Sequence, residues 1–316
     1  MMQISVVMTT YNGEAFINQQ LDSIIKQTLL PDEILVCDDY SNDSTWGILE
    51  SYQIKYPELI HICKNEKNIG FEHNFLNLLK KAEGDIIFLS DQDDVWYSNK
   101  IKSMYQMFER NPNILALSTA YDLIDEYNST YRDIRSVVFN NNKRLKKISW
   151  KDFVIHPKYP GMAMAVRKSL LNQVSWIELS KVPAHDWLLN LFASIHDGMY
   201  LWDNILTSYR QHKSNVIGSS ANKHISDARA MRISTTVSLL KTYELFLEIC
   251  EKQKYDNNKI ELGERLTRIC KKRMELIESE RLWALIRWDI SNYNYLTLRT
   301  FLGDVYMGLK IKLEKG

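Results

Sequence analysis

The amino-acid sequence predicts an α/β fold: a mainly parallel central sheet flanked by helices, followed by an all-helical C-terminal extension. Three observations carry this. Short β-branched runs alternate with segments of helical period through the first 110 residues. Strands that alternate with helices of about 10–15 residues build βαβ units and a parallel sheet. From about Ile225 onward the apolar spacing is almost wholly helical. Polar, acid-rich clusters follow directly on three of the apolar runs, where an open α/β sheet binds its ligands.

The elements follow in order. Ile4–Met8 reads as the first strand, and Glu14–Gln27 as a helix with Phe16, Ile17, Leu21, Ile24 and Ile25 at helical spacing. Pro31 interrupts, and Glu33–Cys37 is the second strand. Asn42–Lys55 is helical, with Asp43 and Ser44 as capping residues. Leu59–Cys63 is a third strand, Phe71–Ala82 a helix ended by Gly84, Asp85–Leu89 a fourth strand and Asn99–Glu109 a helix. Ile114–Tyr121 reads as a strand, and the polar stretch Asp125–Lys147 as a long loop. Gly161–Val166 and Met199–Tyr209 read as strands around a helix at His185–His196. The tail divides into three helices, Ser226–Lys252, Lys259–Trp288 and Tyr295–Leu313. The expected domains are residues 1–224 (halves 1–110 and 111–224) and a helical region, 225–316.

Composition narrows the function. The chain has 316 residues, enough for about two domains. Lys and Arg total 40 against 39 Asp and Glu, a net charge of +1 that excludes a strongly basic nucleic-acid binder. Eleven glycines and six prolines exclude collagen-like and Pro-rich classes. No uncharged apolar run approaches the roughly 18–20 residues that span a bilayer. Met1–Asn12 reads as a strand, with no basic stretch before an apolar core. Cys37, Cys63, Cys250 and Cys270 form no C-x-x-C pair, so the expectation is reduced, buried thiols in a cytoplasmic protein.

The chemistry gathers after the strands. Thr9-Thr10-Tyr11-Asn12 follows the first, Asp38-Asp39-Tyr40-Ser41 the second and Ser90-Asp91-Gln92-Asp93-Asp94 the fourth. The glycine-rich phosphate cradles are missing. An acidic site without them holds phosphates through a divalent cation carried by carboxylates.

With these clusters the chain resembles the family 2 glycosyltransferases of GT-A fold. The resemblance runs through Val6–Asn12, Gln27-Thr28, Ile34–Thr45, Asn68-Ile69-Gly70 and Asp91-Gln92-Asp93, then His185-Asp186-Trp187 and Tyr209-Arg210-Gln211-His212. It covers roughly residues 1–220, and Ser-Asp-Gln-Asp-Asp-Val-Trp with the later His-Asp-Trp is similar to bacterial rhamnosyltransferase-type members. The resemblance implies a Rossmann-like nucleotide half and the following roles. Asp39 would accept hydrogen bonds from the base, with Thr10, Tyr11, Asn12 and Asn68 shaping the nucleotide pocket. Asp91 would touch the ribose, and Asp93, with His212 in some relatives, would hold Mn²⁺ or Mg²⁺. Asp186 would be the catalytic base of a single in-line, inverting displacement. Trp96, Trp187 and Gly161 are expected beside donor sugar or acceptor.

The expected donor is a nucleotide sugar, dTDP-L-rhamnose first and a UDP-hexose second. The expected acceptor is a glycan or lipid-linked glycan of cell-surface polysaccharide synthesis, or, for a UDP-hexose transferase, a glycan or glycoprotein. Asp91-x-Asp93-x-Val95 also resembles the nucleophile loop of haloacid-dehalogenase-like phosphohydrolases, but no Gly-Asp-x-x-x-Asp follows. An inactive scaffold is the non-enzyme alternative, against which the intact aspartates stand. Trp283, Trp288, Tyr293, Tyr295, Phe301 and Tyr306 leave three readings of the tail open: packing on the catalytic domain, a homodimer interface, or, with Lys310, Lys312 and Lys315, peripheral contact with an anionic membrane.

Overall fold

The computed structural model describes residues 2–133, 139–157, 159–174, 184–212 and 228–315, the last with side chains from 229 to 310. Two compact units divide the chain, one of Met1–Phe153 with Pro157–Ser219 and one of Val154–His156 with Ser220–Gly316. The boundary expected after residue 224 lies in 213–227, outside the described residues.

The first unit begins with β1 (Ile4–Thr10), α1 (Ile17–Ile25), β2 (Glu33–Asp38), α2 (Thr45–Lys55), β3 (Ile60–Lys64), α3 (Phe71–Lys81), β4 (Ile86–Ser90), β5 (Val95–Trp96) and α4 (Lys100–Arg110). It continues with β6 (Ala116–Ile124), β7 (Thr130–Tyr131), β8 (Leu145–Lys147), α5 (Trp150–Ile155), β9 (Met164–Arg167), α6 (Lys168–Leu171), α7 (His185–Ile195) and β10 (Met199–Arg210). Ten strands form one sheet in the order β3-β2-β1-β4-β9-β6-β10-β5, with β7 on β6 and β8 on β10.

The β3-β2-β1-β4 part is parallel throughout. All seven residues of β1 and all five of β4 are buried. Strands covered on both faces need continuous apolar runs, which is why they read so clearly in the sequence. The second half of the sheet is mixed: β9 runs antiparallel to both β4 and β6, while β10 is parallel to β6. β5 is too short to show a period and pairs antiparallel with β10, Trp96 opposite Thr207 and Val95 opposite Ser208. That pairing brings the acid-rich loop after β4 alongside the end of β10. The expected loop at 125–147 is shorter than the sequence suggests, because β7 and β8 both lie within it.

The second unit holds α8 (Ala228–Lys252), α9 (Asn257–Glu278), α10 (Leu282–Ser291) and α11 (Leu298–Lys315). The helix expected over Lys259–Trp288 is therefore two. Glu280 takes a left-handed φ of 54°. Arg281 N–H then donates to Leu276 O and Glu280 N–H to Ile277 O, the reciprocal pair that closes a helix C-terminus. The usual glycine is absent there, so the break is silent in the sequence.

Leu276, Ile277, Leu285 and Met307 form a small apolar cluster in this unit. Beside it Arg273, fully buried, donates from Nε to Asp289 Oδ1 (3.0 Å) and from Nη2 to Asp304 Oδ2. Arg232 Nε donates to Asp304 Oδ1 at 2.5 Å. Asp304 thus meets two guanidinium groups and Asp289 one; burial pushes Asp289 up to about 7, and its Oδ2 has no partner among the described residues.

Candidate active site

β1, β2 and β4 end side by side in the parallel part of the sheet, and their carboxyl ends carry the polar clusters. The two aspartates after β2 separate at once. Asp38 is buried and spent on structure: it accepts from Thr10 Oγ1 (2.9 Å), Ser41 Oγ (2.5 Å) and Ser41 N (2.9 Å). Asp39 turns the other way. Its Oδ1 accepts from Asn65 Nδ2 (2.8 Å) and Ile69 N (2.9 Å), and its Oδ2 from Gly70 N (2.9 Å). It therefore braces the loop that carries Asn68, whose Oδ1 accepts from the same Gly70 N–H (3.2 Å).

Tyr11 is 45% exposed at the rim. Its backbone is bracketed by Gln92, which accepts from Tyr11 N (2.9 Å) and donates to Tyr11 O (3.1 Å). Gly13 makes room for that bracket, since a Cβ there would stand 2.3 Å from Gln92 Oε1. Asn12, at φ 48°, donates its N–H to Ser41 Oγ (2.9 Å) and accepts from Asn42 N (3.0 Å). Thr10 faces Asp38, so it acts from beneath the pocket.

The loop after β4 supplies the acidic centre. One carboxylate oxygen from each of Asp91, Asp93 and Asp94 lies within 4.8 Å of the other two. Burial pushes the Asp91 carboxyl up to about 7, with repulsion from Asp93 and Asp186 adding to it and Lys100 opposing. Burial likewise drives Asp94 well above the usual carboxylate range. Asp94 Oδ1 accepts from Arg210 N (3.0 Å), while its buried Oδ2 has no partner among the described residues. His212 Nε2 lies 2.8 Å from Asp93 Oδ2.

Two cations support this loop. Arg210 is buried and donates to Asp93 O (2.7 Å), Asp125 O (2.9 Å), Gln19 Oε1 (2.7 Å) and Asn128 Oδ1 (2.8 Å). Lys100 is buried as well, and its Nζ donates to Met162 O and Thr207 Oγ1, both at 2.8 Å. Burial lowers it to about 7, against Asp94 and Asp91. The sequence signal for Lys100 is its place at the head of the apolar stripe Ile101, Met104, Tyr105 and Phe108.

Asp186 stands in the first turn of α7. Its Oδ2 accepts from Gly161 N (2.7 Å) and its Oδ1 from Trp187 N (2.7 Å). A Cβ on Gly161 would lie 3.0 Å from His185 Nε2 and 3.3 Å from Asp186 Cβ, so a side chain there would have to push these neighbours back by a few tenths of an ångström. His185 is buried, stacked on Phe75 at 4.0 Å, with neither ring nitrogen bonded among the described residues. Burial lowers its pKa, so it stands neutral at neutral pH. Glu178, the other acid near Asp186 in sequence, lies outside the described residues.

The two tryptophans differ from expectation. Trp96 is 3% exposed and belongs to the core, with its ring 5.9 Å from Phe88 and 3.9 Å from Lys100 Nζ. Trp187 is buried near Phe153. Each supports a site element from behind and presents no open ring face for a sugar to stack on. Residue type does not tell which ring faces are covered.

A three-carboxylate cluster with an imidazole beside it suits a hard divalent ion such as Mn²⁺ or Mg²⁺. The mutual repulsion on Asp91 and the unpartnered Asp94 oxygen both fit that donor set. Fold and site together define an α/β protein whose acids gather at the carboxyl edge of a parallel sheet, where such folds bind their ligands. Residues 5–173 match the family described as glycosyl transferase family 2, and the chain belongs to that family. It is a glycosyltransferase.

The dTDP-rhamnosyl transferase RfbG of Shigella flexneri is 31% identical over 224 residues, 67% of this chain and 74% of the relative. The UDP-Glc:alpha-D-GlcNAc-diphosphoundecaprenol beta-1,3-glucosyltransferase WfgD of Escherichia coli is 28% identical over 70% of this chain and 80% of the relative. Among solved structures, S. aureus TarS 1-349 in complex with UDP-GlcNAc superposes with a TM-score of 0.60 at 19% identity, over 84% of this chain and 70% of that one. The mannosyltransferase PcManGT of Pyrobaculum calidifontis, in complex with GDP-Man and Mn²⁺, gives 0.51 at 16% identity over 99% and 81%. These structures share the GT-A fold. No described helix is long and apolar enough to cross a membrane.

Proposed function

We propose that this chain is an inverting, metal-dependent transferase that moves a sugar from a nucleoside diphosphate to a glycan or lipid-linked glycan in cell-surface polysaccharide synthesis. The observation that carries this is the convergence of Asp91, Asp93 and Asp94, with Asp186 near enough to raise Asp91. Asp39 and the 65–70 loop receive the base, with Tyr11 and Asn12 at the rim and Asp91 toward the ribose. Asp93, with Asp91 and His212 beside it, holds the cation. When bound, that ion neutralises charge developing on the leaving diphosphate. Asp186 takes the acceptor proton, its two oxygens oriented by the N–H groups of Gly161 and Trp187. Gly161 leaves open the space that a side chain would fill.

The likeness to a dTDP-rhamnosyl transferase supports dTDP-L-rhamnose as donor. The likeness to a glucosyltransferase acting on a diphosphoundecaprenol acceptor supports a UDP-hexose as the second reading and a lipid-linked acceptor for either. Thermal shift with UDP, dTDP, GDP and CDP, each with and without Mn²⁺, separates the donors. The expected result is a Mn²⁺-dependent shift, largest with dTDP and abolished in Asp93→Ala. A shift that survives in Asp93→Ala would move the metal elsewhere.

A further inference from the structure

Helices α10 and α11 carry an outer surface that no described residue covers. On α11, Leu298, Leu302, Tyr306 and Leu309 are 73%, 54%, 63% and 59% exposed. They recur at i, i+4, i+8 and i+11, which places them on one helix face. On α10, Trp283, Arg287 and Ile290 recur at i, i+4 and i+7 and are exposed as well. The inner faces are Leu285 and Asp289 on α10 and Asp304 and Met307 on α11, all buried. Asp289 and Asp304 both accept from the one guanidinium of Arg273. The inner faces therefore converge on that group, and the apolar stripes turn away from it.

Along α10 and α11 up to Lys310 the exposed charge has one sign, and the adjoining Lys272–Glu275 pair of α9 sums to zero. Between Arg281 and Lys310 the chain has only two acids, Asp289 and Asp304, and both are buried against arginines. Arg281, Arg287 and Arg299 are exposed. Exposed leucine and aromatic side chains among unopposed cations make an interfacial surface, apolar groups entering the acyl boundary and guanidinium groups meeting anionic headgroups. A second copy of the chain fits less well, because a two-fold contact would set the same arginines against each other.

We infer that the outer face of α10 and α11 docks on an anionic phospholipid bilayer. The inference deepens the proposed reading, since a lipid-linked acceptor is met at a membrane. It rests on that reading for its purpose and on the helices alone for its geometry.

The test is co-sedimentation of the full-length protein with vesicles of phosphatidylcholine, alone or mixed with phosphatidylglycerol, at low and high salt. Binding is expected only with phosphatidylglycerol and should weaken as salt rises. Leu302→Glu should abolish it. Arg287→Gln and Arg299→Gln should each weaken it roughly fivefold and remain folded, since both residues are exposed. The Mn²⁺-dependent nucleotide shift, measured without vesicles, should stay as in the wild type in all three variants. It reports the donor site separately, so either reading can fail alone. Absence of vesicle binding, equal binding to both vesicle types, or binding untouched by the variants would overturn the inference. A soluble dimer split by Leu302→Glu would also overturn it and assign the face to a second copy.

Discussion

The acidic loop of the first unit and the ion cluster of the second both draw aspartates away from water. They differ in what answers the charge. In the helical unit, Asp289 and Asp304 meet Arg273 and Arg232 at hydrogen-bonding distance. In the loop, Asp91, Asp93 and Asp94 crowd together, four hydrogen bonds of the Arg210 guanidinium go to neutral oxygens, and the Lys100 ammonium donates to Met162 O and Thr207 Oγ1. On the proposed reading, the cluster bonded to its own chain's guanidinium groups is architecture, and the loop, whose three carboxylates outnumber Arg210 and Lys100, takes a ligand that brings positive charge. Four substitutions sharpen or break this contrast.

The largest effect should come from Asp186→Asn. Asparagine keeps the size and can accept from Gly161 N–H, but it cannot take a proton at neutral pH. Sugar transfer should fall roughly 10²–10⁴-fold, the usual contribution of a general base, with nucleotide affinity little changed. Near-normal transfer would give the proton to another group and remove the reason for expecting inversion.

Arg273→Met should unfold the helical unit more readily by about 3–5 kcal/mol, because it leaves the buried Asp289 without a cation and Asp304 with Arg232 alone. Chemical denaturation reads this directly. A neutral outcome would mean that the cluster is not held by charge balance, and the contrast with the loop would lapse.

Asp39→Ala should weaken nucleotide binding by about 1–3 kcal/mol, the usual cost of losing a partner for a buried polar group. Titration of dTDP would show it. Because Asp39 also holds Ile69 and Gly70, faster hydrogen exchange at those amides should accompany the loss. A fall in maximal rate alone would take Asp39 out of the pocket.

The smallest effect is in the metal-free protein. Asp91 sits at about 7 when folded, against 3.8 for a free carboxyl. Folding favours its protonated form, so that contribution is complete below about pH 4 and is lost as pH rises through about 7. Asp91→Asn should therefore melt higher than the wild type above that pH and nearly together with it in acid. Melting curves that stay parallel across the range would show that Asp91 is not under strain.

Much of this was legible in the residues because of how they are buried. β1 and β4 are covered on both faces, so their apolar runs stand out, and helices of regular period lie between them. The acidic loop was legible by its position after β4. What escaped was set by tertiary context. β5 and β7 span two residues each and have no period to show. Glu280 ends α9 in a conformation that glycine usually marks. Asp38 and Asp39 are neighbours of one type, and only the fold shows one bonded beneath the pocket and the other bracing the 65–70 loop.

Arg210 carries a further consequence. Four of its side-chain hydrogen bonds, each to a carbonyl or amide oxygen, join α1, the acidic loop and the turn after β6. The loop is thus clamped by groups that do not depend on a ligand being present. Each catalytic cycle must empty the pocket of its spent nucleotide before the next donor enters. On the proposed reading, Arg210 would hold the loop's arrangement while spent nucleotide leaves and fresh donor enters.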